Sequence, residues 1–330
     1  MNTKRWYAVV AVGILFLLSS AVSLFSTDVS TTLENFFSGI DEDFHENVIE
    51  EGSEQLGKVA VIHLNGVMTD DVGGGLFSGG YDHSLLLDQL EHAGEDPDVH
   101  GVILRVNTPG GGVVESDEIH DKVKKVQEEY GKKVYVSMGS MAASGGYYVA
   151  APAEKIYANS QTLTGSLGVI MQSINVSELA EEWGISTEVI KSGTYKDIMS
   201  QTREMTDDER EILQSLVDDS YERFVDVIED GRDLDRNRVL ELADGRIYTG
   251  SQALDEGLID GVGHLDDVID TMKVDLGRGD VRVVEYGTNL GFGSLLGGTA
   301  QQLVENQRLS EVKGWLQQNQ GPQLMYLYTD

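Results

Sequence analysis

From Lys58 onward, short β-branched runs alternate with stretches of helical period, and this alternation limits the fold more than any other feature of the chain. KVAVIHLNG precedes a helical stretch near 84–93, HGVILRVNTPGGG one near 116–130, and KKVYVSMGS leads into the apolar run GGYYVAA. Strand and helix in alternation predict an α/β domain whose helices cover a largely parallel sheet. KIYAN, SLGVIMQSINV and STEVIKSG read as later strands. Thr206 and Glu209 form a T-x-x-E capping box that opens a long amphipathic helix to about residue 230, and a last helical stretch covers 251–257.

The N-terminus reads differently. After Lys4 and Arg5, residues 6–25 (WYAVVAVGILFLLSSAVSLF) carry no charge, and these 20 residues would span about 30 Å as a helix, one membrane crossing. The basic flank before the run and the acidic residues after it (Glu34, Asp41, Glu42, Asp43, Glu46) place the rest of the chain outside the cytoplasm. The alternative is a cleaved signal peptide, with Ala21-Val22-Ser23 as a small-x-small site. Four segments are expected: 1–25, cytoplasmic residues and anchor; 26–57, an acidic linker; 58–275, the folded domain; and 276–330, a C-terminal extension. Residues 324–328 (LMYLY) are apolar at the end of an acidic region, so they pack on the core or lie in a substrate groove, their own or a neighbour's.

Charge and composition exclude several functions. With 56 acidic against 24 basic side chains the net charge is -32, which argues against nucleic-acid binding and adhesion to anionic lipid. There is no cysteine, hence no disulfide, thiol catalysis or Cys-based metal site. HExxH and any spaced His/carboxylate set that would suggest zinc are absent.

One hydroxyl stands out. Ser144, in SMAASGGYYVA, lies among small residues where a strand gives way to helix, with Gly145 and Gly146 leaving the backbone beside it unobstructed. A serine attacks only when a base takes its proton and backbone N–H groups receive the oxyanion. The Gly145 amide and the loop NTPGGG (107–112) can supply those donors. None of the seven histidines lies in a catalytic motif, and Ala142 stands where a G-x-S-x-G elbow needs glycine. Lysine is the remaining base, provided it is buried enough to be neutral.

NTPGGG, SMGSMAASGGYYVA, TLTGSLGVI and IKSGTYKDIMSQTREMT, in that order, resemble the bacterial signal peptide peptidase A family of membrane-anchored serine peptidases, peptidase family S49. The resemblance implies a ClpP/crotonase-type spiral of β-β-α units after one N-terminal transmembrane helix, and assembly into a homo-oligomeric ring. It implies Ser144 as nucleophile, Lys196 as general base rather than Lys191, Ser166 as the serine that orients the lysine, and Gly111 and Gly145 as the oxyanion hole, the choice among Gly110, Gly111 and Gly112 staying open. It implies no cofactor or metal. The expected activity is endopeptidase cleavage of remnant signal peptides at the outer face of the cell membrane. Two readings compete: acyl-CoA chemistry on the same fold without a serine nucleophile, and a catalytically silent scaffold, which an exposed Lys196 would favour.

Overall fold

The computed structural model describes residues 45–69, 81–287 and 324–328. The described residues from Glu46 onward belong to one compact unit. The predicted anchor at 6–25 lies outside the described residues, and among the described residues no helix is long and apolar enough to cross a membrane.

The centre is a sheet in the order β1 (His45–Glu50), β10 (Val281–Gly287), β2 (Ser53–Asn65), β3 (Val99–Thr108), β5 (Lys133–Ala143), β6 (Lys155–Ala158), β9 (Gly261–Val262). Every adjacent pair from β10 to β9 is parallel. Parallel strands are covered on both faces, which is why β2 runs through Val59, Ala60, Val61 and Ile62 without a polar interruption, all four fully buried. On one face lie α1 (His83–Glu95), which buries Leu86, Leu90 and Ala93, and α2 (Val113–Glu128), which buries Ile119, Val123 and Val126. On the other, Val268, Ile269 and Met272 of α8 (Leu265–Asp275) pack on Val59, Val61, Ile103 and Tyr135.

Three short elements continue past the strand ends. Strand β4 (Gly110–Gly112) follows β3, α3 (Gly145–Ala150) follows β5, and β7 (Leu163–Gly165) pairs with the last residues of β5, Ala143 opposite Gly165. Strand β8 (Ile247–Thr249) closes on β7 in antiparallel sense, and the tail forms β11 (Met325–Leu327), antiparallel to β4. The remaining helices are α4 (Ser177–Glu182), α5 (Asp207–Arg232), α6 (Arg236–Leu242) and α7 (Gly250–Asp255). The Thr206–Glu209 capping box is present at the start of α5.

The structure differs from expectation at several places. The folded unit begins earlier than Lys58, because β1 and the start of β2 lie inside the segment taken as linker. It also extends past 275: β10, assigned to the extension, enters the central sheet beside β2, a pairing across more than two hundred residues of sequence that no local pattern reports. SLGVIMQSINV contributes only one bridge, Ile170 to Met325, and STEVIKSG forms no strand; its Val189 and Ile190 are exposed and have no sheet edge to join. Helices α4, α6 and α8 were not expected; α8 follows His264, whose N–H is capped by Asp267.

Candidate active site

The site stands at the C-terminal end of the parallel sheet, where β3 and β5 deliver their following segments side by side. Ser144 ends β5 and opens α3: the N–H groups of Tyr147 and Tyr148 donate to its carbonyl at 2.9 and 3.0 Å. Its φ of 53° and ψ of -115° are rare for a residue with a side chain, a strain that neighbours must hold in place. They do so through the Ser144 N–H, which donates to Gly165 O at 2.7 Å. Gly146 cannot be enlarged, since a Cβ there would lie 2.7 Å from Thr108 Cγ2. The Ser144 hydroxyl is buried, and its contact is long, 3.5 Å to Gly168 O.

Strand β4 supplies the facing wall. The Gly110 N–H donates to Thr108 Oγ1 at 3.0 Å, and the Gly112 N–H donates to Met68 O at 2.8 Å. Of the three glycine amides, that leaves Gly111, which is paired with Tyr326 of the tail strand. A Cβ on Gly110 would come within 2.8 Å of Gly145 N, so the two predicted oxyanion segments are in contact. Ser166, directly after Gly165, sits beside Ser144 with its own positive φ of 51° and its N–H on Arg246 O at 2.7 Å. Ser144, Gly145, Gly111 and Ser166 are therefore brought together.

Lys196 is not. The turn at Gly193 does not carry it back to the sheet: the residue is exposed, its N–H donates to Gly193 O at 3.3 Å, and among the described residues its ammonium has no hydrogen-bond or ion-pair partner. Lys191, the nearby alternative, is occupied by Asp197 Oδ1 at 2.5 Å and Thr194 O at 2.8 Å. Residues 174–195 expose Ile174, Leu179, Trp183, Ile185, Val189, Ile190 and Tyr195, with Trp183 72% exposed. An apolar stretch of that extent is a surface awaiting a cover.

Of two further features of the site, the grip of Met68 was not legible from sequence, whereas a tail lying in a groove was one of the two expectations for residues 324–328. Met68 grips β4 from the side opposite the tail, through its N–H to Gly110 O (3.0 Å) and its carbonyl to Gly112. The tail itself fills the groove. Tyr326 is fully buried, stacked on Tyr148 (4.9 Å between centroids) and tilted against Phe224 (4.7 Å), with its hydroxyl donating to Ser220 O at 2.9 Å. Its carbonyl oxygen lies 2.0 Å from the Cβ position of Gly110 and 3.1 Å from that of Gly145. On the far side, Met325 and Ile170 exchange N–H to carbonyl bonds of 3.0 and 3.1 Å. An extended backbone thus runs between β4 and Ile170 beside the Ser144–Gly145 turn, hydrogen-bonded on both edges.

Two carboxylate–histidine groupings, Glu46–His92–Asp96 and Asp117–His120–Asp121, lie elsewhere. Lys58 bridges Glu46 and Asp96, and Arg223 bridges Asp117 and Asp121, so the chain's own cations already occupy both.

A groove that holds peptide backbone in extended form beside a buried serine on a strained turn is the arrangement a serine peptidase needs. Comparison with known proteins agrees. The family model for peptidase family S49 matches residues 126–278. A candidate signal peptide peptidase SppA of Enterococcus faecium is 40% identical over 296 residues, 87% of this chain and 85% of that protein. A candidate protease of Synechocystis is 47% identical over 173 residues, 52% of this chain and 62% of that one. A ClpP1 mutant from Listeria monocytogenes matches 63% of this chain and 92% of its own at 17% identity and TM-score 0.41. The chain belongs to peptidase family S49 and is a serine peptidase.

Proposed function

We propose that the protein is a membrane-anchored endopeptidase with a Ser144–Lys196 dyad that degrades cleaved signal peptides and similar peptides at the outer face of the cytoplasmic membrane, on a ClpP/crotonase-type fold assembled into a homo-oligomeric ring. The observation that carries the reading is β11. The groove beside Ser144 accepts an extended peptide by strand addition to Gly110–Gly112, a mode in which main-chain bonds give affinity and side-chain pockets give selectivity. The uncharged run 6–25 with its basic flank supports the anchor, and the name of the Enterococcus faecium relative supports the substrate class.

In the proposed reaction the Ser144 hydroxyl attacks a peptide carbonyl as the Lys196 amine takes its proton. The oxyanion is received by the Gly111 and Gly145 N–H groups. The lysine then gives that proton to the leaving amine, and water, deprotonated by the same lysine, releases the acyl group from Ser144. Ser166 orients the lysine. An unperturbed lysine, with pKa about 10.4, is protonated at neutral pH and cannot act as a base, so the amine must lose water around it. In the single chain Lys196 is exposed. Ring assembly that covers the apolar stretch 174–195 supplies the desolvation and brings the amine to a Ser144 hydroxyl.

The same exposure is what a catalytically silent scaffold would show. A fluorophosphonate probe separates the two: it labels Ser144 of a peptidase and leaves a scaffold untouched. Topology is tested by adding protease to right-side-out vesicles. Digestion of the domain places Ser144 outside, and full protection overturns the orientation.

A further inference from the structure

The segment that carries Lys196 is pinned by a cluster of four charged side chains, and its centre is the carboxylate next in sequence to that lysine. Asp197 receives Arg203 Nε at 3.0 Å on Oδ2 and Arg203 Nη2 at 2.8 Å on Oδ1, a two-pronged contact. Lys191 adds a third donor at 2.5 Å, and Arg203 Nη2 also donates to the Asp197 carbonyl at 3.0 Å. The other side of the guanidinium grips Glu209, through Nη1 at 2.8 Å to Oε2 and through Nη2 to Oε1. Glu209 is buried and is the N3 residue of the α5 capping box, accepting from the Thr206 N–H at 2.9 Å. One arginine therefore fastens the Lys196 turn to the start of a 26-residue helix.

Cations are scarce in this chain, 24 against 56 acids, yet two of them are spent on this one carboxylate in an exposed loop. With Asp197 14% and Glu209 3% exposed, the arrangement steadies this turn. Its chemical consequence is larger. A carboxylate beside a lysine favours the ammonium form. With Asp197 turned onto Arg203 and Lys191, the Lys196 amine is left without an anionic partner among the described residues. Arg203, with Lys191 second, holds the Asp197 carboxyl below the usual range; Arg203 first and the Thr206 N–H second hold Glu209 at about 2. Both carboxylates are ionised whenever the enzyme works, so their charges must be satisfied by partners and not by protons. The other groups that touch the cluster are uncharged: Asn175 donates to the Arg203 carbonyl, Ser173 to that of Met199, and the Glu204 contact is through its backbone.

We propose that Arg203 is a positioning residue for the catalytic lysine: by holding Asp197 and Glu209 together it fixes the Lys196 turn and keeps the neighbouring carboxylate off the amine. The inference rests on Lys196 being the general base.

The test is kcat/KM against pH for the full chain on a fluorogenic peptide, with thermal melting of each variant. Arg203→Gln leaves Asp197 with Lys191 alone and lets the carboxylate swing toward Lys196, and the alkaline-rising limb moves up by about 1 unit, roughly tenfold less activity at any pH below it. Adding Asp197→Asn to Arg203→Gln returns the limb to its wild-type position even where the melting temperature stays low. Asp197→Asn alone, which leaves Arg203 on Glu209, does not raise the limb. A uniform loss across pH in Arg203→Gln, or a limb that stays high in the double variant, overturns the proposal. Should Arg203→Gln fail to fold, an upward shift in Asp197→Asn alone overturns it. Lys196→Ala is the control: if it retains activity, the dyad fails, whereas an inactive Lys196→Ala beside an unmoved Arg203→Gln limb defeats only the positioning role.

Discussion

If β11 occupies the path of a substrate, the tail is a tethered competitor, and weakening its hold should make peptides bind better. Tyr326→Ala is the sharpest perturbation, because the strand pairing with Gly110–Gly112 uses only backbone and survives it. The substitution removes ring contacts with Tyr148 and Phe224, about 1 kcal/mol each. It also removes the hydroxyl bond to Ser220 O, about 1 kcal/mol more. The total of about 3 kcal/mol weakens tail docking by roughly 150-fold. Since a docked tail multiplies the apparent KM by one plus its docking constant, KM should fall by about tenfold or more, with roughly 150-fold as the ceiling. kcat should not change, as Tyr326 touches neither Ser144 nor Lys196. The assay is steady-state cleavage of a short fluorogenic peptide. An unchanged KM with a lowered melting temperature would refute competition and leave the tail a packing role alone.

Other outcomes follow from particular contacts. Gly111→Ala would put a Cβ 1.9 Å from the Met68 carbonyl oxygen, so β4 must shift; kcat should fall by about 100-fold, the cost of one oxyanion donor, in the same peptide assay. Glu91, which receives Lys122 and Lys125 at 2.6 Å each and the Tyr130 hydroxyl at 2.5 Å, is depressed to about 2, chiefly by Lys122 and then Lys125. A depressed carboxyl stabilises the fold above its unfolded pKa near 4.5 and loses that contribution as pH falls toward 2. Glu91→Gln should therefore lower the melting temperature by about 2 °C at pH near 7, a small effect because the pairs face solvent, and the difference should vanish near pH 2. A net charge of -32 favours the protonated form of any basic group it surrounds, so raising salt from about 0.1 to 1 M should increase kcat/KM on the alkaline-rising limb. A decrease would show that the field acts elsewhere.

Local chemistry made much of the site readable. The two glycines after Ser144 at a strand-to-helix change made it a candidate, its role as nucleophile came from the family resemblance, and the structure gives it a strained positive φ. The order of strands and helices through β5 was equally plain, since buried parallel strands leave uninterrupted apolar runs. What escaped were pairings over long sequence separations: β10 beside β2, Met68 gripping Gly110 and Gly112, and, for a tail expected on the core or in a groove, that its partner is β4. STEVIKSG failed for a related reason. Its β-branched residues carry strand propensity, but a strand needs an edge to join, and none is offered there. The capping box at Thr206 was legible, but not that one guanidinium spans Asp197 and Glu209, a contact that depends on how the intervening turn folds.

The most direct test of the account is which side chain becomes covalently labelled, and what that labelling requires. The full chain, treated with a fluorophosphonate and digested for mass spectrometry, should carry the adduct on Ser144 alone, at a rate that rises with pH. Lys196→Arg, whose guanidinium stays charged, should remain folded and go unlabelled. An adduct on another residue, or labelling of Lys196→Arg at the wild-type rate, would contradict the dyad.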